Sequence, residues 1–306
     1  MAAPKRSTTK ASRPGARKDA PEAERVIVSA AGVALPRILY GTAWKKERTA
    51  ALVEEALRAG FRGIDTACQP KHYHEPGVGE ALGAVLGSGP GATLKRADIY
   101  VQTKFTPFRG QDPDNVPYNP KARLADQVRQ SFAVSLANLR TDHLDGLVLH
   151  SPYPRDRDTL TVWCAMEELH DAGGVRQLGI SNCYEPDRLE RIYDAARIKP
   201  AVVQNRFYAK TGFDQEIRAF CRSRGIVYQS FWTLTANPAI LAAPALTDLA
   251  AQLGRTPAQV FFRYLTQQDM ACLTGTSSPE HMAQDLAIFD FRLDNAACAS
   301  IAALLR

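Results

Sequence analysis

The 306-residue sequence predicts an α/β fold, a closed (β/α)8 barrel preceded by a short β-hairpin and a basic N-terminal tail. Three observations carry that prediction. Short apolar or β-branched runs alternate eight times with longer segments of helical period, and such alternation implies parallel pairing, because parallel neighbours need a crossover between them. The turn after the first of these strands reads Gly41-Thr42-Ala43-Trp44-Lys45, without the G-x-G-x-x-G that a doubly wound open sheet carries there. The chain is also long enough for one large domain, since barrels of this type commonly run to roughly 250 residues.

In chain order, Val26–Val28 and Val33–Leu35 flank Ala31-Gly32 as a hairpin. The first repeat pairs strand Arg37–Tyr40 with helix Arg48–Ala59, and the second pairs Gly63–Asp65 with Gly77–Leu86. Strand Ile99–Thr103 precedes helix Ala122–Leu139, Gly146–Leu149 precedes Thr159–Ala172, and Gln177–Ile180 precedes Glu185–Ala196. Strand Ala201–Gln204 leads to helix Phe213–Ser223, and Val227–Phe231 to helices near Ala245–Gln252 and Pro257–Leu265. A last strand, Ala271–Leu273, precedes a helix starting near Pro279. Between the third strand and its helix, Pro107–Pro120 is long and rich in Pro, Asp and Asn, as a lid or an insertion would be.

Composition narrows the function classes. Of the net charge of +6, +4 lies in residues 1–25, where seven bases face three acids without an aromatic residue. Residues 1–24 therefore read as a solvated, disordered tail and 25–306 as the barrel, with no nucleic-acid-binding module. No stretch approaches the roughly 20 apolar residues of a membrane span, and no apolar run of about 7–15 residues follows the first bases. The expected location is the cytoplasm. Six scattered cysteines with no C-x-x-C and no clustered histidines argue against zinc or a disulfide framework, so no metal is expected.

In a parallel barrel, chemistry belongs at the C-terminal ends of the strands. Asp65, Lys104 and His150 each close an apolar strand there. With a tyrosine added, the set can move a proton. A free phenol near pKa 10 is a poor acid at neutral pH, and a neighbouring ammonium favours its ionised form. Tyr as acid, Lys as tuner, Asp as anchor and His as orienter suit reduction of a carbonyl by hydride.

Five segments, in order, resemble the aldo-keto reductases over nearly all of residues 25–306. They are Gly60-Phe61-Arg62-Gly63-Ile64-Asp65-Thr66-Ala67, Gln102-Thr103-Lys104-Phe105, Leu144-Asp145-Gly146-Leu147-Val148-Leu149-His150-Ser151-Pro152, Val175-Arg176-Gln177-Leu178-Gly179-Ile180-Ser181-Asn182 and Thr256-Pro257-Ala258-Gln259-Val260. The resemblance implies a catalytic set of Asp65, Tyr73, Lys104 and His150. Tyr73 stands in a lengthened loop, and anchoring on Glu75 and Val78 puts His72 in the tyrosine's slot as the alternative donor.

It further implies a nicotinamide cofactor, NADPH with NADH second, held by Ser181, Asn182 and Gln204 at the carboxamide and by Phe231 against the ring. Gly41, Thr42, Asp65 and Leu234 are implied nearby. Gly275, Thr276, Ser277, His281, Gln284 and Asp285 are implied at the far end of the cofactor. There the family's phosphate-gripping lysine and arginine are replaced by Gly275 and His281, which leaves hydroxyls and a helix N-terminus for the phosphate. Trp44, Phe105 and Trp232 are candidates for the wall of a pocket taking a fairly bulky carbonyl substrate. The expected assembly is a monomer or weak homo-oligomer, and the alternative role is a nicotinamide-binding regulatory subunit with little turnover.

Overall fold

The computed structural model describes residues 22–86 and 94–306. A two-stranded antiparallel hairpin, β1 (Val26–Val28) and β2 (Ala34–Pro36), precedes the barrel. The barrel strands are β3 (Ile38–Gly41), β4 (Gly63–Asp65), β5 (Tyr100–Phe105), β6 (Leu144–Leu149), β7 (Val175–Ser181), β8 (Val202–Arg206), β9 (Val227–Phe231) and β10 (Ala271–Thr274). They pair in parallel in chain order, and β10 closes the ring against β3, with Leu273 opposite Leu39. The expected eight-stranded barrel is thus observed.

Helices α2 (Thr49–Ala59), α3 (Glu75–Val85), α4 (Leu124–Leu139), α5 (Asp156–Asp171), α6 (Pro186–Ala195), α7 (Gln215–Ser223), α9 (Pro244–Leu253), α10 (Pro257–Gln267) and α11 (Pro279–Leu286) surround it, with short α8 (Pro238–Leu241) and C-terminal α12 (Asn295–Ala302). Proline at the first position, where the missing N–H costs nothing, opens α6, α8, α9, α10 and α11. The main core fills the space between strands and helices and includes fully buried Trp163, Phe207, Phe261 and Phe262. A smaller cluster under the hairpin joins Val33 and Leu35 to Leu39, Tyr100, Val227 and Ala271, plugging the N-terminal end of the barrel. That leaves the C-terminal end for ligands.

Two expectations about element ends are corrected. The sixth repeat's helix begins at Gln215, not Phe213, because Gly212, Phe213 and Asp214 all take positive φ (57°, 53° and 52°), which breaks the helix before it starts. Residues 22–24 are not free tail: Glu22–Arg25 forms α1, and the Glu24 carboxylate bonds to Arg263 and, at 3.3 Å, to Arg292. Those partners lie more than two hundred residues away, beyond any local pattern. The rest of the expected tail, residues 1–21, lies outside the described residues.

The long segment after β5 is held in place. Tyr118 donates to the Thr106 carbonyl at 2.8 Å, Gln111 to the Cys68 carbonyl at 3.0 Å, and Arg109 to the Pro152 carbonyl. No helix among the described residues is long and apolar enough to cross a membrane. All six cysteines are unbridged, and Cys68, Cys183, Cys221 and Cys272 are buried.

Helices α3 and α4 meet at Gly79, where a Cβ would lie 2.0 Å from the Asn138 carbonyl oxygen, itself backbone and unable to swing away. Gly79→Ala is expected to force the helices apart and to destabilise the fold by about 1–3 kcal/mol, the usual cost of overpacking. A lowered urea midpoint with an unchanged slope would record it, and an unchanged midpoint would contradict this packing.

Candidate active site

Side chains alternate across a strand, so residues two apart share a face. Hydrogen bonds across the barrel identify the inward set. Gln102 of β5 reaches Gln229 of β9 at 2.8 Å, and Gln204 of β8 reaches Asp65 of β4 at 2.9 Å, pairs of strands that are not neighbours. Lys104 on β5, Ser181 on β7, Arg206 on β8 and Phe231 on β9 therefore point to the axis at its C-terminal end.

Asp65 and Lys104 form the centre. The Lys104 Nζ donates to both Asp65 oxygens, at 2.8 and 2.7 Å, and to the Thr66 carbonyl at 2.8 Å, so each ammonium N–H has an acceptor. Burial pulls the Lys104 pKa below its ordinary value while Asp65 pulls it back up. The three acceptors keep it an ammonium. Asp65 Oδ1 also accepts from Gln102 Nε2 at 2.6 Å and from Gln204 Nε2.

Beside this pair the Lys104 Nζ lies 5.3 Å from the Tyr73 ring centroid, and the Tyr73 and His150 rings are 6.0 Å apart, edge to face. The four residues expected to act together are thus brought together. Burial, and then the Asp65 charge, push the Tyr73 hydroxyl well above its ordinary 10. Tyr73 therefore stays protonated in the free protein and can give a proton. His150 is pushed down to about 3, first by burial and then by Lys104 and His72, which makes it a neutral imidazole at working pH. Its Nδ1 meets the Thr106 hydroxyl at 2.7 Å. When Thr106 donates, Nε2 carries the proton. His72, the alternative donor, packs its ring on Trp44 at 4.0 Å.

This assembly of acid, cation, carboxylate and imidazole at a barrel mouth can be set beside known proteins. The model of the Aldo/keto reductase family matches residues 37–306. The chain belongs to the aldo/keto reductase family. It is 32% identical to an aldo-keto reductase of Mycolicibacterium smegmatis over 276 residues, covering 89% of this chain and 90% of that protein. It is 28% identical to human aldo-keto reductase family 1 member A1, covering 85% and 83%. Among solved structures, an aldo/keto reductase from Brucella melitensis superposes with a TM-score of 0.76 at 26% identity, covering 93% of this chain and 99% of that one. This aldo/keto reductase is accordingly an oxidoreductase that reduces carbonyl groups with a nicotinamide cofactor.

The residues present fit such a cofactor. Ser181 is buried at the end of β7, and Asn182, at φ 53°, donates to the His150 carbonyl at 2.8 Å. Phe231 offers a half-exposed ring at the end of β9. Thr42 is tied to the Asp65 carbonyl through its N–H and hydroxyl, and Gly41 pairs with Asp65 in the sheet. A Cβ at Gly275 would meet only the Gly41 oxygen, at 3.8 Å, which leaves that end open. Thr276 and Ser277 precede the Ser278-capped N-terminus of α11, and the Thr276 hydroxyl lies 3.5 Å from the His281 Nδ1. Leu234 packs on the core from the loop after β9.

Three more of the expected residues find partners within the fold. Phe105 follows inward-facing Lys104, so it turns outward and is buried against Tyr118, not at the mouth. Asp285 is buried and accepts from Thr274 at 2.7 Å, and Gln284 donates to Glu280 along α11, so both are engaged within the fold. Trp44 and Trp232 are exposed beyond the ends of β3 and β9, each at positive φ.

Sequence reasoning missed Lys45 and two of the three barrel glutamines, Gln102 and Gln229, and for Gln204 it missed the bond to Asp65. Lys45 is buried, donates to the Gly275 carbonyl at 2.7 Å and lies 5.0 Å from the Tyr40 ring centroid. Its position directly after Trp44 in the first turn was the available signal. Gln102, Gln204 and Gln229 bond to one another around Asp65, at intervals of two from Lys104, Arg206 and Phe231.

Removing one partner of a buried ion pair leaves an uncompensated charge, at a cost of about 3–5 kcal/mol. Lys104→Met is expected to lose that much in urea denaturation, and Lys104→Met with Asp65→Asn to recover a substantial part of it. A single variant as stable as the parent would contradict the pair as described.

Proposed function

We propose that this enzyme reduces an aldehyde or ketone, a fairly bulky one, to the alcohol with NADPH, and that Tyr73 is the general acid. The observation that carries the reading is the Tyr73 ring, close to both the Lys104 ammonium and the His150 imidazole, with a hydroxyl that burial keeps protonated. The bound cofactor supplies hydride to the carbonyl carbon. The remaining work falls to the chain. The Tyr73 hydroxyl gives its proton to the carbonyl oxygen as negative charge develops there, and the nearby Lys104 ammonium stabilises the phenolate that results. Neutral His150, with Thr106 donating to Nδ1, offers its Nε2–H to the same oxygen. Asp65, fixed by Gln102 and Gln204, holds Lys104 in place. Trp44 and Trp232 supply large exposed faces beyond the ends of β3 and β9, the two strands that flank β10, which suits a bulky substrate.

The preference for NADPH rests on Lys45. At the position where relatives carry a phosphate-gripping lysine this chain has Gly275, and the Lys45 ammonium reaches the Gly275 carbonyl from the opposite side of the β3–β10 seam. Lys45 then restores the missing positive charge, with Thr276, Ser277 and the N-terminus of α11 adding donors. The chain is proposed to act as a monomer or weak homo-oligomer in the cytoplasm.

Consumption of NADPH with a panel of aldehydes, quinones and cyclic ketones tests the reaction. Tyr73→Phe is expected to lower turnover by about 10²- to 10⁴-fold, the usual worth of a positioned acid, with NADPH affinity retained. Activity that survives in Tyr73→Phe but fails in a His72 variant would transfer the role to His72.

Burial, with Arg48 nearby, lowers the Lys45 pKa to about 8. The side chain is therefore cationic below that pH and neutral above it. NADPH affinity is expected to weaken as pH rises through about 8, and Lys45→Met to bind weakly with that pH dependence removed. Fluorescence titration from pH 6.5 to 9.5 measures both, and an identical pH dependence in the variant would refute the assignment.

A further inference from the structure

At the end of β8, Arg206 sits two residues beyond Gln204, and Gln204 points to the barrel axis, where it bonds Asp65. Arg206 therefore projects over the mouth from the same face. Its guanidinium carbon lies 4.1 Å from the centroid of the exposed Trp232 ring and 5.4 Å from that of Tyr208. Both rings lie within cation–π reach of the group, which leaves its N–H groups available for a planar acceptor. Among the described residues Arg206 makes no ion pair, its side chain donates no hydrogen bond, and its Nε is buried without a partner. Most other buried or half-buried arginines do differ: Arg37, Arg188 and Arg263, for example, each have a carboxylate within reach. A cation packed beside aromatic rings with an unsatisfied donor costs free energy until an anion arrives.

The geometry points to Arg206 as the receptor for a carboxylate carried by the carbonyl substrate. This rests on the proposed reductase reading and adds the substrate's charge class to it. An arginine's planar fork matches a carboxylate's two oxygens, which a lysine cannot do. The cofactor's phosphates are the other source of anionic charge, and position separates the two. Lys45, Gly275 and the start of α11 gather at the end of β10. Arg206 stands on β8, paired with Phe231 on β9, and so on the side of Phe231 away from β10.

The test compares 4-carboxybenzaldehyde with its methyl ester, using wild type, Arg206→Gln and Arg206→Lys with NADPH. Wild type is expected to favour the carboxylate. Arg206→Gln should raise its KM by about 10- to 100-fold, the range set by losing hydrogen bonds to a charged group. The ester's kinetics and the KM for NADPH should stay as they were, and Arg206→Lys should rescue only in part. Equal losses on both aldehydes, a rise confined to the KM for NADPH, or a wild type indifferent to the carboxylate would each overturn the assignment. Trp232 gives a readout that needs no turnover. Titrating NADP+-loaded protein with 4-carboxybenzaldehyde should change tryptophan emission in wild type and not in Arg206→Gln. If neither aldehyde is reduced, that change still upholds the anion site while the reductase reading fails, and its absence overturns the site.

Discussion

At the axis of the barrel a lysine ammonium and an aspartate carboxylate lie 2.7 Å apart, almost wholly screened from water, and much of the interior is arranged around keeping them there. Two such charges can persist in a dry site only when their hydrogen-bonding capacity is met. The barrel meets it with amides. Gln102 and Gln204 donate to Asp65, Gln229 links those two, and at the lower end Gln177 joins the Tyr100 hydroxyl to Ser29 of the hairpin. A continuous chain of polar contacts therefore runs from the plug at the N-terminal end toward the reacting end. The cost of burying this polar interior is offset in the layer between strands and helices, where Trp163, Phe261 and Phe262 are fully buried.

The same low-dielectric setting sets the chemistry of the neighbours. It keeps Tyr73 protonated and His150 neutral, so the two groups nearest the proposed carbonyl position are both hydrogen-bond donors. The mouth is positively biased at two separated places. Lys45 faces the end of β10, and Arg206 stands over β8, with the Phe231 strand between them. A barrel that separates its cations in this way can take two anionic groups at once without making them compete.

Much of this was legible in residue order. The alternation of short apolar runs with helical periods is local physics, so eight repeats and their strand ends could be counted before any contact was known. Asp65, Lys104 and His150 stood out because each is an ionisable residue at or next to the end of an apolar run. Phe105 misled because its neighbour's direction was not applied to it: once Lys104 faces the axis, the next side chain must face away. Nothing in the Asp285 segment tells that Thr274 will donate to its carboxylate.

What the sequence determined by itself is therefore the periodicity: parallel strands, crossover helices, and ionisable residues at the ends where such a barrel reacts. Only closure of the ring decided the rest. Glu24 meets Arg263, Lys45 meets Gly275 and Gln204 meets Asp65 across 239, 230 and 139 residues of chain, distances at which spacing carries no signal. Burial followed from that closure too, and burial holds the Tyr73 proton and leaves the Arg206 Nε without a partner beside Trp232. The physical reason is common to all of these: hydrogen-bond partners and desolvation belong to the packed state, whereas the pattern that directs packing is written residue by residue.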